Sequence, residues 1–189
     1  MLEELMRLDK EVFLFLNNLG SSEWDAFWMF LTNKWSAIPL YVLLLILSYK
    51  QFGTKKLLVV LITVVLLITA TDQLSNFFKY GIQRLRPCYD PEVSQMMRLV
   101  KDYCGGKFGY FSAHASNTSA LALFFTILFR PYYKYLGIFL IVWAIFVSYS
   151  RIYIGVHFPL DVLSGIVVGF LFGWLFAKLY IFAIYKYRI

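Results

Sequence analysis

The sequence predicts an all-α fold: a polytopic membrane helix bundle of five to six spans, preceded by an N-terminal amphipathic helix. Three observations predict it. Of the 189 residues 60% are hydrophobic, only 15% are charged, and long apolar runs recur along the chain. Soluble globular chains are about 45–50% apolar and about 25% charged. A water-soluble chain of this size could not cover so much apolar surface, whereas a bilayer removes the need to cover it. The length suits one domain over residues 1–189. Within it, residues 1–34 form an interfacial N-terminal region and residues 79–161 hold the polar motifs.

The opening segment, MLEELMRLDKEVFLFLNNLG, has acidic residues where a secretory leader carries basic ones, and no small-residue cleavage site. Leu5, Leu8, Val12 and Leu16 recur at helical spacing, so the segment reads as an amphipathic helix at the membrane interface. A spanning helix needs roughly 20 apolar residues. The run 38–49 is short and is expected to borrow from the aromatic stretch WDAFWMF before it; a sixth span follows if residues 24–34 dip into the membrane. The runs 57–78, 113–129, 135–147 and 162–180 complete five spans.

The net charge of +7 is assigned to topology and to a local cluster of cations, with no nucleic-acid partner expected. Cytoplasmic loops carry the Lys and Arg excess. That places YKQFGTKK, RPYYK and the tail KYRI on the cytoplasmic side, and loop 80–111 with segment 151–160 on the other. The same loop holds Arg84, Arg86, Arg98, Lys101 and Lys107, which blurs the charge rule. Cys88 and Cys104 also lie there; in an oxidising compartment a disulfide would close the loop, worth about 3 kcal/mol, and two free thiols are the alternative. Gly165, Gly169, Gly173 and Ala177 recur every fourth residue, a stripe that lets another helix approach closely. Packing within the bundle is preferred to a dimer face, and the oligomeric state stays open.

Ionisable groups at membrane depth are costly, and the chain gathers them in three places. The first is KYGIQRLRP, residues 79–87, where a helical run would set Lys79 and Arg86 on one face before Pro87 stops it. Two such cations can hold a phosphate, although taken alone they fit interfacial anchoring better. The second is FSAHASNT, residues 111–118, with Ser112 at an expected N-cap, free backbone N–H groups beyond it, and His114 as a proton carrier. Alone, it also reads as an ordinary capped helix. The third is SRIYIGVHFPLD, residues 150–161. Pro159 suits a first helical turn, and His157 and Asp161 are four apart. A carboxylate on one imidazole nitrogen leaves the other free to attack, and Arg151 adds a cation. The only two histidines fall in two of these motifs, and the topology brings all three motifs to one face.

The pattern K-x6-R-P, S-x-H and S-R-x5-H-x3-D resembles the type 2 phosphatidic acid phosphatase superfamily, in its membrane branch. The first and third motifs match in full; in the second, Phe111 and Ala113 stand where the family has Pro and Gly. The resemblance implies a lipid phosphatase that works through a phosphohistidine. It implies that His157 attacks phosphorus, Asp161 orients it, and His114 protonates the leaving oxygen. Lys79, Arg86, Arg151, Ser112 and the Ala113 backbone hold the phosphate. No cofactor and no metal are implied. Outside the family motifs, Asp72 is expected to turn inward and, with Asn76, to support Lys79.

Undecaprenyl pyrophosphate is the weakly favoured substrate, followed by lipid A and then phosphatidylglycerophosphate or phosphatidic acid. The expected place is a bacterial inner membrane with the site on the periplasmic face. A non-catalytic lipid-binding protein of the same fold is the competing class. Transfer of the phosphoryl group to an acceptor other than water is a third reading.

Overall fold

The computed structural model describes residues 1–188, and all the regular structure described is helical. Helix α1 spans Leu2–Asn18 and α2 spans Ser22–Thr32. Next come α3 over Ile38–Ile82 and a short 3₁₀ turn at Pro87–Tyr89. The last three are α4 over Ala113–Phe129, α5 over Leu136–Tyr153 and α6 over Pro159–Tyr187. Of these, α3, α5 and α6 are long and apolar enough to cross a membrane, and α4 is a shorter apolar helix. The chain is an integral membrane protein.

Two expected spans lie inside α3. The stretch YKQFGTKK is helical on both sides of Gly53, whose φ of 74° and ψ of 177° are non-helical, so two helical arms meet there with no longer loop between them. The arms before and after Gly53 fold back on each other, because Tyr41 and Leu45 line one cavity with Leu61, Val64 and Ile68. The first arm borrows nothing from WDAFWMF. Those residues belong to α2, which is a separate helix ending in a turn at Asn33. Trp28 of α2 packs on Tyr149 and Tyr153 of α5 at ring-centroid distances of 5.1 Å each.

The spans expected at 113–129, 135–147 and 162–180 appear as α4, α5 and α6. Helix α5 runs six residues further than expected, to Tyr153, and α6 begins at Pro159. Helix α4 is the buried centre of the bundle, with Phe124, Phe125, Leu128 and Phe129 inside. The small-residue stripe of α6 lies against it: a Cβ on Gly165 would stand 2.6 Å from the Ser112 carbonyl, and Gly169 and Gly173 press likewise on Ser116 and Ala120. The stripe serves packing within the bundle. Opposite faces are exposed and apolar, including Leu43, Ile46, Leu163, Val167 and Leu171, as a lipid-facing surface requires.

The ends of the bundle sort as the charge pattern suggested. At one end, Gln51 donates to the Tyr133 hydroxyl at 2.7 Å, and Phe52 stacks on Phe129 near Tyr132 and Tyr180. The other end collects residues 79–114 and 151–161. Of the tail KYRI, Ile189 lies outside the described residues.

Helix α1 forms as expected, but it is more than a surface anchor. Leu5, Leu8, Val12 and Phe15 are exposed, while Asp9, Phe13 and Asn17 are buried against the protein. Asn17 is fully buried; its side-chain N–H groups donate to the carbonyls of Arg98, Ile152 and Tyr153, and its oxygen accepts from the Arg98 N–H at 2.7 Å. Phe13 packs edge-on against Phe158 at 5.2 Å. Helix α1 thus fastens loop 90–100 to the end of α5 and the start of α6.

Candidate active site

Where α3 ends, Gln83 adopts a left-handed conformation with φ 55° and stops the helix. The helical run expected as far as Arg86 therefore does not exist. Residues 84–86 are held beside 107–109 instead: the Arg86 N–H donates to the Lys107 carbonyl at 3.1 Å and the Gly109 N–H to the Arg84 carbonyl at 2.8 Å. Backbone pairing outcompetes one more helical turn. It also aims Arg86, whose Nε and Nη1 donate to the carbonyls of Phe108 and Cys104 at 3.2 and 3.0 Å. Cys88 and Cys104 form a disulfide that closes this loop.

At the end of α5 the chain turns through Gly155, φ 83°, and the N–H groups of Val156 and His157 both donate to the Arg151 carbonyl. Arg151 therefore supplies a cation and also seats the histidine. Its Nη1 donates to Thr32 Oγ1 at 2.5 Å, while its buried Nε has no partner among the described residues. An orphaned charged donor is a place for an anion.

A cavity of about 310 Å³ is lined by Lys79, Arg86, Ala113, His114, Arg151 and His157. Those are six of the residues singled out in the sequence, drawn from all three motifs. Lys101 and Tyr103 of the central loop line it too. Sequence reading placed Lys101 only among the loop cations; the excess of Lys and Arg that blurred the topology rule was its signal.

His157 is buried, and burial, then Arg86, Arg151 and Lys79, hold its imidazole well below its ordinary pKa. Lys101 is lowered by burial, then by Arg151 and Arg86. The histidine thus stands neutral among converging cations. Its Nδ1 lies 3.6 Å from Asp161 Oδ2, a charge contact longer than a hydrogen bond. Asp161, fully buried, is otherwise engaged: Oδ2 accepts from the Phe158 N–H at 3.0 Å and Oδ1 from Arg84 Nη1 at 2.7 Å. Gly109 closes the corner between them, since a Cβ there would stand 3.0 Å from Asp161 Oδ2 and 3.6 Å from His157 Nδ1.

Two expected members stand elsewhere. Ser112 does not line the cavity. Its fully buried Oγ accepts from the Ala115 N–H at 3.4 Å as the cap of α4, and its own N–H donates to the Asp161 carbonyl. Capping and the α4–α6 contact turn the hydroxyl inward. Asn76 is exposed and takes no part with Asp72. Asp72 Oδ1 instead accepts from Asn117 Nδ2 at 2.8 Å, and Asn117 Oδ1 from the Thr71 hydroxyl at 2.6 Å. Asp72 therefore ties α3 to α4 and faces a cavity shared with His114, rather than bonding Lys79.

A bundle that gathers a neutral histidine, a carboxylate behind it and four cations around one cavity belongs to the class of membrane phosphatases. The chain matches the PAP2 superfamily over residues 53–185 and belongs to that family. It is 37% identical to the lipid A 4'-phosphatase of Bacteroides thetaiotaomicron, over 93% of this chain and 78% of that protein. With the lipid A 4'-phosphatase of Porphyromonas gingivalis it shares 34% identity, over 96% and 77%. With the undecaprenyl-diphosphatase of Sulfolobus acidocaldarius it shares 31%, over 88% and 76%. The crystal structure of Aquifex aeolicus LpxE superposes with a TM-score of 0.64 at 25% identity, covering 89% of this chain and 93% of that one. The transmembrane phosphatidylglycerolphosphate phosphatase of Bacillus subtilis has the same fold, with a TM-score of 0.73 at 20% identity over 93% and 86%. This chain is a phosphoric ester or anhydride hydrolase.

Proposed function

We propose that the substrate is a phosphorylated membrane lipid and that His157 attacks its phosphorus. The observation that carries this reading is a line of cavities with common walls. His114 and Ala113 line both the cation-rich cavity and a second of about 290 Å³. Tyr41 and Asn117 line that second cavity and a third, of about 350 Å³, walled by Leu45, Leu61, Val64, Ile68, Leu121 and Phe125. A phosphate among cations and a tail among apolar side chains fit one amphiphile.

In this mechanism Lys79, Arg86, Arg151, Lys101 and the Ala113 backbone offset the charge on the phosphoryl oxygens. The neutral His157 forms the P–N bond as the P–O bond to the leaving group breaks. His114 gives that oxygen its proton and then takes one from the water that cleaves the phosphohistidine, releasing inorganic phosphate. Asp161 stabilises the positive charge that develops on His157. Residues 1–189 act as a single phosphatase domain.

The likeness to the two lipid A 4'-phosphatases puts lipid A first among the substrates to test, beside undecaprenyl pyrophosphate, phosphatidylglycerophosphate and phosphatidic acid. The site is assigned to the periplasmic face of a bacterial inner membrane. The Cys88–Cys104 disulfide beside the cavity supports that side, since disulfides persist in oxidising compartments. The test is phosphate release from each lipid by purified protein in detergent, with a chelator present and His157→Ala as control. Chelator-resistant release that vanishes in the variant is expected. No release from any lipid by folded protein would favour the non-catalytic class, and phosphoryl transfer to added alcohols would favour the transferase reading.

A further inference from the structure

Helix α6 begins at the catalytic corner with Phe158 at its N-cap, a side chain that cannot accept a hydrogen bond. The first-turn donors must find acceptors elsewhere. The Phe158 N–H is taken by Asp161 Oδ2, and the Leu160 N–H donates to Asp9 Oδ1 at 2.9 Å. Asp9 comes from α1, 151 residues away in sequence. Its other oxygen, Oδ2, accepts from Arg84 Nη2, the guanidinium whose Nη1 holds Asp161. Arg84 lies 4.5 Å over the Phe158 ring, which Phe13 of α1 flanks. Asp9 is 5% exposed and Asp161 0%.

We infer that Asp9 is a positioning residue of the active site: it caps α6 from another helix and, through Arg84, holds Asp161 behind His157. The inference rests on the phosphatase reading of that site. Two carboxylates share one guanidinium, so neither can turn away without leaving a buried charge or donor unpaired. If Asp9 becomes an amide, one of its two acceptors turns into a donor, so the Leu160 N–H and Arg84 Nη2 can no longer both be satisfied, and the charge facing Arg84 is gone. Arg84 then draws on Asp161 alone, and the carboxylate is pulled off the imidazole it faces.

The test compares Asp9→Asn with Lys10→Ala. Lys10 sits on the same helix but pairs with Asp90 and Glu92, outside the site. Each purified protein is assayed on the best lipid of the panel, and its two histidines are followed by ¹⁵N NMR. The expected result for Asp9→Asn is a fall in kcat of about 10- to 100-fold, the scale for a misplaced catalytic group. KM should stay within about twofold, with a displaced His157 imidazole signal. Lys10→Ala should keep wild-type kcat and histidine signals. A merely structural Asp9 would lower thermal stability while folded protein kept its kcat and its His157 signal, and that outcome overturns the inference. Equal kcat losses in both variants overturn it as well. If wild-type protein releases no phosphate but the His157 signal moves only in Asp9→Asn, the positioning role stands while the phosphatase reading falls.

Discussion

Replacing Arg151 with methionine should make the protein more stable and nearly inactive. Arg151 is 5% exposed, has no carboxylate partner among the described residues, and shares its cavity with Lys79, Arg86 and Lys101. In the absence of an anion this crowding of like charges is a cost. Replacing buried ion pairs by apolar side chains of similar volume is neutral or gains about 1–4 kcal/mol, and removing a buried charge that has no counter-charge should gain on the same scale. For 150–250 residues, each kcal/mol moves Tm by about 2–4 °C. Inorganic phosphate or vanadate at 100 times its Kd should stabilise wild-type protein by about 2.7 kcal/mol, or roughly 5–11 °C. Arg151→Met should lose most of that ligand shift, and kcat/KM should fall about 100- to 1,000-fold, the scale for a donor that meets developing charge. Thermal melts in detergent with and without phosphate, run beside the lipid assay, read all three quantities. A variant that melts well below wild type yet keeps its phosphate shift and activity within tenfold would refute the argument. Arg151 would then be a brace for Thr32 and not a phosphate ligand.

Three further outcomes follow from the geometry. Gly109→Ala should lower kcat about tenfold with little change in Tm, because its Cβ presses on Asp161 Oδ2 at 3.0 Å and on Arg86 Cγ at 3.1 Å; wild-type turnover would disprove the tight corner. Asn17→Ala removes four hydrogen bonds, two of them buried and two partly buried, and should cost about 2–4 kcal/mol, read as a drop in Tm of roughly 4–16 °C; a shift under about 2 °C contradicts the staple. In an NMR titration of substrate-free protein, His157 should stay neutral below about pH 6.5, the ordinary imidazole value. The sign follows from the lowered pKa: the unfolded chain binds the proton first, so this group's share of stability is present above that pH and is lost as pH falls. A midpoint at or above 6.5 would mean that the cations do not converge on His157.

How far the site can be read without coordinates differs from residue to residue. Lys79, Arg86, His114, Arg151 and His157 are legible because each belongs to a motif whose spacing has a chemical meaning, and each lines the cavity. Ser112 was legible as a cap, but a cap spends its hydroxyl on the backbone, so the same evidence that places it keeps it from the cavity. Asn76 satisfied the helical spacing and still faces outward, since spacing gives a face and not its neighbour. Asp9 and Lys101 lie outside every motif, and Arg84 falls at an unspecified position of the first, so nothing marks them as parts of a site. An aspartate in an amphipathic N-terminal helix reads as solvent-facing, and only docking of α1 on Phe158 turns it inward.

Hydropathy and periodicity along the chain suffice for the membrane class, the helical content and the three polar motifs. Those properties are local or additive: hydropathy sums along a run, and periodicity is set by one helix. Only contacts between distant segments fold the first two spans back at Gly53, aim Arg86 by pairing with loop 107–109, and link Asp161 through Arg84 to Asp9 of α1. These depend on which surfaces meet, and contacts between residues 9, 84 and 161 leave no periodic trace in the chain. Burial makes such contacts obligatory, because a charge without its partner inside the bundle costs more than the fold can spare.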